Sequence, residues 1–423
     1  MTGHEYFQLT LRNLPEGDSG GNRGSVMKIK AILACGTAAT LLAISSADAA
    51  TINLVDLGGV TGSVAEKDFK IAAKFWGSMF TNNVTINLGV GFDSLPPNVI
   101  GSTGSNHNVY LIQDWANGVN ATKSNSTLDQ TAVLPTLNPD GGTASILNGP
   151  DGTGQTNTAA ADQIYANGTV AANYYMDLNT SVIKAIGGTV EDPNALDGAV
   201  TFSSDFSFDF DPTNGITAGK MDFLGVAIHE IGHALGFVSG VDTYDYYGAP
   251  HGPAYGYGYD INDYAVLSAL DMFRYSNDPN GVGPGGPQLD ETVGTASYFS
   301  IDGGQTALFG NTFATGTYNG DGDQASHWKD SPTCNGSAQL GIMDPTFCYG
   351  QMGAVKALDL AAFDAIGWNL NVDALANGGS YSRTTAQIYA SLAPEPGTWA
   401  LMVGGFGAVG FSLRRRRTAV SFG

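Results

Sequence analysis

Apolar residues recur at helical or strand spacing in separate stretches, and long polar stretches divide them. Residues 69–80 have apolar side chains at helical spacing and residues 84–92 alternate apolar with polar, which predicts a helix followed by a strand. The same criteria predict helices at 178–186, 265–273 and 354–366 and a strand at 202–210. Residues 93–156 are rich in Gly, Asn, Pro and Ser, and we expect them to be mostly loop without recognisable chemistry.

One further predicted helix, Asp222–Gly236, carries two histidines and a glutamate among apolar residues. Asp222 is the expected N-cap and Gly236 the expected stop. His229 and His233 are four residues apart and share one helix face, so both rings can reach one zinc ion at about 2.0–2.1 Å. Glu230 is rotated by about 100° and can instead take a proton from a water that the metal activates.

The alternative is a chance match, with two satisfied histidines in an ordinary core helix. That alternative leaves Glu230 unexplained, because a buried carboxylate without a partner costs several kcal/mol. The H-E-x-x-H pattern in this helical context therefore predicts the zinc site of a hydrolase.

The N-terminal region differs from a folded domain. Residues 1–26 are polar and Gly-rich, and we interpret them as an upstream extension before a natural start at Met27. Residues 27–49 combine a basic start, an apolar run and an A-x-A end at Ala47-Asp48-Ala49, which predicts a secretory signal peptide cleaved before Ala50. A membrane anchor is the rival interpretation, but the apolar run is too short for one.

Charge and cysteine content narrow the function classes. The 39 Asp and Glu outnumber the 18 Lys and Arg, and no basic stripe exists to neutralise phosphates, which argues against a nucleic-acid partner. Removal of the signal peptide takes Cys35 and leaves Cys334 and Cys348. In an exported protein this pair predicts a disulfide, worth roughly 3 kcal/mol for a loop of about 15 residues in the chain-entropy model.

A catalytic zinc site has three protein ligands and one open position, and H-E-x-x-H supplies two. Three downstream residues are candidates for the third: Asp242 lies close by, His251 lies in a loop rich in Tyr, Gly and Pro, and His327 precedes a methionine-containing segment at 341–345. Residues 319–323 (N-G-D-G-D) could hold calcium, but they lack the ligand set of an EF-hand, which favours an ordinary acidic turn.

The stretch H-E-I-G-H-A-L-G-F-V-S resembles the metzincin signature H-E-x-x-H-x-x-G-x-x-H, with Gly236 at its glycine. The chain departs from it at Ser239, where the signature has its third histidine. His327 ahead of G-I-M-D-P is similar to leishmanolysin-like metzincins, in which an insertion displaces that histidine. The resemblance implies that Met343 forms an apolar floor beneath the metal. It also implies a complete set of zinc ligands: His229, His233 and His327.

The same resemblance implies an α+β fold. It consists of a twisted mixed sheet with an active-site helix, an insertion subdomain at 243–325 and a C-terminal helical lobe, all within a protease domain at 50–369. A disulfide between Cys334 and Cys348 would brace the methionine turn that they flank. Residues 370–393 are predicted to be a linker.

The C-terminal tail combines Pro394-Glu395-Pro396, an apolar run at 398–413 and four arginines at 414–417. The apolar run barely suffices to span a bilayer, and the arginines would stay on the cytoplasmic side. Residues 394–417 resemble the PEP-CTERM sorting signal of Gram-negative bacteria. The resemblance implies recognition by an exosortase, transient membrane contact through 398–413, cleavage near the motif, and display or release outside the cell. A plain C-terminal anchor is the alternative.

These observations predict a secreted or surface-displayed zinc endopeptidase that acts on proteins or peptides, with Glu230 as general base. The substrate is expected to lie extended along a sheet edge, and the strand at 202–210 is the candidate neighbour. Two alternatives remain: a surface or matrix binding protein built on a protease fold, and a zinc amidase that acts on cell-wall peptides. Glu230 argues against the binding protein, since a non-catalytic zinc site needs no base.

Overall fold

The computed structural model describes residues 50–147, 164–167, 170–257, 263–279, 281–330 and 339–393. The helices are α1 (Ala65–Met79), α2 (Ile112–Thr122), α3 (Thr127–Thr131), α4 (Thr180–Ala185), α5 (Phe223–Ala234), α6 (Val241–Thr243), α7 (Ala357–Ile366) and α8 (Thr385–Leu392). The strands are β1 (Thr51–Gly58), β2 (Thr85–Asp93), β3 (Gly101–Ser105), β4 (His107–Leu111), β5 (Ala144–Leu147), β6 (Ile164–Asn167), β7 (Tyr175–Asn179), β8 (Gly198–Ser203), β9 (Phe208–Asp209), β10 (Met221–Asp222), β11 (Arg274–Ser276), β12 (Gln288–Leu289), β13 (Tyr298–Phe299), β14 (Ala354–Lys356) and β15 (Ser382–Thr384).

The largest sheet is mixed, with the strand order β1-β2-β8-β3. β1, β2 and β8 are parallel, and β3 runs antiparallel to β8 at the end of the sheet. β8 is therefore internal, so Phe202 and Ser203 at its end lie between β2 and β3 and offer no edge to a substrate. The rest of the predicted strand at 202–210 lies outside this sheet, and its place beside a substrate stays a prediction. The loop prediction for 93–156 is wrong where β3, β4, α2, α3 and β5 form. In β3 the sequence G-S-T-G-S has no apolar residue to reveal a strand.

Helices α1 and α5 pack against each other and against this sheet. The Trp76 indole of α1 donates a 2.9 Å hydrogen bond to the carbonyl of Ile228 in α5, which fixes the two helices in register. Phe69, Phe202 and Phe223 meet between the helices and the sheet, with ring centroids 4.5 and 5.1 Å apart. Helices combined with several small sheets confirm the α+β class.

The insertion at 243–325 contains a three-stranded antiparallel sheet with the order β12-β11-β13. It shares a small apolar cluster with α6, through Val241. Leu270, Phe299 and Phe313 instead join the main core, so the insertion is packed onto the rest of the protein. The helix predicted at 265–273 is only a 3₁₀ turn at Leu270–Phe273.

Residues 370–393 contain a strand and a helix that pack on the rest of the protein, which corrects the prediction of a linker. β15 pairs with β14, and α8 packs against α1 and α5. Thr384 and Gln387 form a capping box that starts α8, and Ile388 is buried. The segment lacks a continuous apolar face, so its polar composition concealed a helix that is held by its cap and by the buried side chains of Thr385 and Ile388.

Several predictions fall outside the described residues: the upstream extension, the signal peptide, Cys334, and the tail at 394–417 with its apolar run at 398–413. Cys348 is disulfide-bonded, and its pairing with Cys334 stays a prediction. Within the described ranges, every helix is too short or too polar to cross a membrane.

Candidate metal centre

The helix that carries H-E-x-x-H is fixed at its start by a buried carboxylate. Asp222 is the N-cap of α5, as predicted, and its Oδ1 accepts a 3.0 Å hydrogen bond from the Gly225 amide. Its Oδ2 accepts from the Gly353 amide at 2.9 Å and from the Thr385 hydroxyl at 2.6 Å. Segments near the C-terminus thereby hold the first turn of α5. Every residue of this helix is buried.

Three imidazoles converge at the middle of this buried helix. The Nε2 atoms of His229 and His233 are 3.0 Å apart, and the Nε2 atom of His327 lies 3.3 Å from the first and 3.1 Å from the second. All three residues are at most 4% exposed. Among the described residues, no other set of three His, Cys, Asp or Glu side chains converges closely enough to hold a metal ion.

The opposite nitrogen of each ring faces a main-chain carbonyl. Nδ1 lies 2.8 Å from Ile342 O in His229, 2.7 Å from Phe237 O in His233 and 3.2 Å from Gln324 O in His327. A carbonyl oxygen can only accept, so each Nδ1 carries the hydrogen and each neutral ring presents an Nε2 lone pair to the other two. Such carbonyl partners orient the histidine ligands of metal sites.

The donor set fits a zinc ion. Burial and the neighbouring His233 lower the pKa of His229 to about 3, so this ring is neutral and able to ligate at neutral pH. Nitrogens about 2.0–2.1 Å from a tetrahedral zinc lie about 3.3 Å apart, close to the separations found here. Three converging lone pairs repel one another, and a cation between them removes that repulsion.

The other two candidates for the third ligand lie elsewhere. Asp242 is turned toward the segment before His327, where it accepts hydrogen bonds from the Ala325 amide at 2.7 Å and the Ser326 amide at 3.0 Å. His251 is exposed and outside the converging set. The structure therefore brings His327, rather than Asp242 or His251, to the two histidines of α5.

Met343 lies beneath the helix between the two histidines of α5. A Cβ placed on Gly232 would meet the Met343 sulfur at 2.7 Å, so the glycine permits this close approach. Gly236 has a φ of 110°, and a Cβ there would meet Val182 at 2.4 Å. The chain can therefore turn after α5 only because this position has no side chain.

No sequence pattern indicates the role of Asp359, a buried carboxylate in α7. It accepts hydrogen bonds from the Trp328 indole at 2.9 Å, the Ile342 amide at 2.9 Å and the Met343 amide at 3.2 Å. Trp328 adjoins His327, Ile342 supplies the carbonyl that faces His229, and Met343 lies beneath α5. Burial raises the pKa of Asp359 despite these bonds. A helical pattern alone assigns such an Asp to solvent.

Glu230 lies against the edge strand β3 and is 3% exposed. The Thr103 hydroxyl is 2.7 Å from Glu230 Oε2 and 2.9 Å from the Glu230 carbonyl oxygen. A Cβ placed on Gly101 would meet Glu230 Oε1 at 2.6 Å. The edge strand thus covers the carboxylate with a hydroxyl and a residue that lacks a side chain.

The outer side of β3 presents backbone groups. Ile100 O and Asn106 N, at the two ends of the strand, bond toward the β8 side at 2.9 and 2.8 Å. Because bonded and non-bonded positions alternate in antiparallel pairs, Gly101, Thr103 and Ser105 direct their N–H and C=O groups away from β8. Within the described ranges no other strand pairs with β3, so it is an edge.

The acidic turn at 319–323 has its own protein contacts. Asp321 accepts a 2.9 Å hydrogen bond from the Thr315 amide and pairs with Lys329 at 2.5 Å. A lysine on this carboxylate favours the ordinary acidic turn, and calcium binding there stays a prediction.

Comparison with known proteins identifies the C-terminal segment. No curated protein and no solved structure matches the chain. Residues 392–417 match the PEP-CTERM protein-sorting motif, which bears out the sorting signal predicted at 394–417. The motif implies interaction with exosortase sorting machinery, and it indicates export to the cell surface or the extracellular space in Gram-negative bacteria.

Proposed function

We propose that this protein is an exported zinc-dependent endopeptidase of the metzincin type, with a displaced third histidine. One observation carries the proposal: three buried imidazoles point their Nε2 lone pairs at one place, next to a buried glutamate on the same helix. The methionine beneath α5 and the antiparallel edge strand beside it support the same assignment. A binding protein on this fold would have no use for Glu230.

His229, His233 and His327 would hold the zinc. When bound there, zinc supplies Lewis-acid chemistry, because it lowers the pKa of water and polarises a carbonyl group. Glu230 accepts one proton as the water oxygen bonds to the scissile carbonyl carbon. The same carboxylic acid then donates that proton to the leaving nitrogen while the C–N bond breaks. The second hydrogen of the water passes from the new carboxyl group to the amine, so the products are a carboxylate and an ammonium group.

The substrate would lie along β3. An extended peptide can pair with the outward N–H and C=O groups of Gly101, Thr103 and Ser105, which adds a strand to the sheet. Thr103 also contacts Glu230, so a peptide on this edge passes beside the base. Main-chain pairing gives affinity with little sequence preference, and side-chain pockets supply the preference.

The test is Glu230→Gln, measured by casein hydrolysis and by zinc per chain. Glutamine keeps the shape of the side chain and leaves the ligands intact, but it cannot accept the proton. We expect stoichiometric zinc and a loss of activity by about 100-fold or more, the size of a general-base contribution.

Two controls define the result. Chelator should abolish the activity of the wild-type enzyme and added zinc should restore it, which excludes a contaminating serine or cysteine peptidase. Muropeptide release by wild-type enzyme without casein hydrolysis would favour the cell-wall amidase. Cleavage of casein by Glu230→Gln at the wild-type rate would remove Glu230 from the mechanism.

A further inference from the structure

We infer that Thr103 is a positioning residue for Glu230, and that β3 thereby both docks the peptide and orients the base. Thr103 acts in this way only if the chain is the peptidase proposed above, on which this inference rests. Three residues of two elements, Gly101 and Thr103 of β3 and Glu230 of α5, meet at one carboxylate. In the edge strand, the Thr103 hydroxyl contacts the Glu230 carboxylate, and Gly101 has no side chain that would collide with it.

The Thr103 hydroxyl lies beside both the side chain and the main-chain carbonyl of Glu230. It has one hydrogen and donates to one acceptor at a time, and the nearer acceptor is Glu230 Oε2 at 2.7 Å, with Glu230 O at 2.9 Å. Thr103 is itself held in place, because β3 pairs with β8 and packs against α5. A bond from this hydroxyl to Oε2 therefore holds the carboxylate in one orientation, which proton transfer to and from a reacting group demands.

Gly101 provides the room for that orientation. A Cβ there would approach Glu230 Oε1 to 2.6 Å, a distance that such atoms do not tolerate. The atom in the way is the end of a flexible side chain, so the carboxylate would move and the strand would stay. Gly101 and Thr103 therefore fix the carboxylate from two sides, by exclusion and by hydrogen bonding.

The docking role uses different atoms of the same residue. The backbone N–H and C=O groups of Thr103 point outward for a peptide, and its side chain points at Glu230. Replacing the side chain should therefore alter the chemical step and leave peptide binding unchanged. This separation of kcat from KM is what a general loss of structure would not produce.

The central variant is Thr103→Val, which keeps the branched shape and removes the hydroxyl. We expect kcat to fall about 10- to 100-fold, because a carboxylate displaced by about 1 Å loses up to about 100-fold in rate. KM and zinc per chain should stay at wild-type values. Thr103→Ser restores the hydroxyl and should recover kcat to within about threefold of wild type.

Gly101→Ala tests the second contact. It should lower kcat by displacing Glu230 and should leave zinc per chain unchanged. The matched control is Thr180→Val, because the buried Thr180 hydroxyl also donates a 2.7 Å hydrogen bond to a buried carboxylate, that of Asp197, outside the site. This variant should keep the wild-type kcat, so a loss in Thr103→Val cannot come from removing any buried threonine hydroxyl.

Peptide binding supplies a readout that does not depend on turnover. A fluorescent peptide should bind Glu230→Gln and the double variant Glu230→Gln, Thr103→Val with the same Kd. The inference is overturned if Thr103→Val has the wild-type kcat, if it loses zinc, if Thr180→Val is equally slow, or if the double variant binds peptide more weakly. An active Glu230→Gln would instead overturn the proposed function, and an inactive Glu230→Gln beside a fully active Thr103→Val would overturn this inference alone.

Discussion

Each imidazole of the candidate site has one nitrogen committed to a carbonyl and the other directed at its two neighbours. Ser239, where the simple signature has a histidine, donates its amide hydrogen to the Ser326 hydroxyl at 2.9 Å. Ser326 also bonds Asp242 and directly precedes His327. Ser239, which stands where the signature has its third histidine, therefore holds Ser326, and Ser326 directly precedes His327.

His327→Ala should release zinc. Two protein ligands would remain. Losing a residue that only orients a ligand lowers metal affinity about 10- to 100-fold, so losing the ligand itself should lower zinc affinity by more than that. The measurement is zinc per chain after dialysis against a weak chelator at neutral pH. His251→Ala is the control and should retain one zinc. If His327→Ala kept its zinc and His251→Ala lost it, the ligand assignment would be wrong.

The sequence predicted some site residues and not others for definite reasons. His229 and His233 follow from a spacing that only a helix converts into a shared face. His327 is 94 residues beyond His233, so only its place ahead of a methionine turn pointed to it. Asp359 and Thr103 carry no such pattern. Each acts through a partner distant in the chain, and a single sequence does not contain that pairing.

At the scale of elements, predictions succeeded where apolar periodicity was strong. α1 and β2 bury apolar residues at the expected spacing, and α5 and α7 are apolar enough to be buried throughout. β3 has none, because its stability comes from backbone pairing with β8 and its side chains are small enough to face Glu230. The element most closely involved with the candidate base was therefore the one with the weakest sequence signal.

Helix α8 gives a prediction about the boundary between the folded region and the sorting tail. A chain ending at Ala393 keeps α8 and its Thr385–Asp222 bond, so it should unfold at the wild-type temperature and retain zinc. A chain ending at Leu370 loses both. Asp222 then loses one of its three hydrogen-bond donors at the N-terminus of α5, and we expect a lower Tm and weaker zinc binding.

The matched point variant for this boundary is Thr385→Val in the chain ending at Ala393. It removes one buried hydrogen bond, and the acceptor it leaves behind costs about 1–3 kcal/mol. Equal Tm values for the chains ending at Leu370 and Ala393 would show that α8 contributes nothing and would restore the linker interpretation.

At the scale of the whole molecule, several of the many acidic residues are buried inside the fold. Burial raises the pKa of Asp68 and of Asp364 to about 8 in each case, and that of Asp222 is raised by the same cause. Among the residues that the structure describes, none donates a hydrogen bond to either carboxylate oxygen of Asp68, which is fully buried in α1. The folded protein therefore holds a proton on Asp68 at pH values where the unfolded chain has released it.

This proton makes folding stability fall as pH rises. With a pKa raised from 3.8 to about 8, the stability contribution is complete below the unfolded value and is lost as pH approaches the folded value. Asp68→Asn cannot ionise, so its free energy of unfolding relative to wild type should increase by ~1.4 kcal/mol per pH unit between pH ~5 and ~8. The measurement is urea unfolding of both proteins with chelator present, so that zinc release at low pH does not contribute.

Asp56→Asn is the control. Hydrogen bonds from Thr61 lower the pKa of Asp56 to about 2, so the free energy of unfolding of this variant relative to wild type should be flat between pH ~5 and ~8. A flat difference for Asp68→Asn as well would mean that Asp68 is ionised in the folded protein.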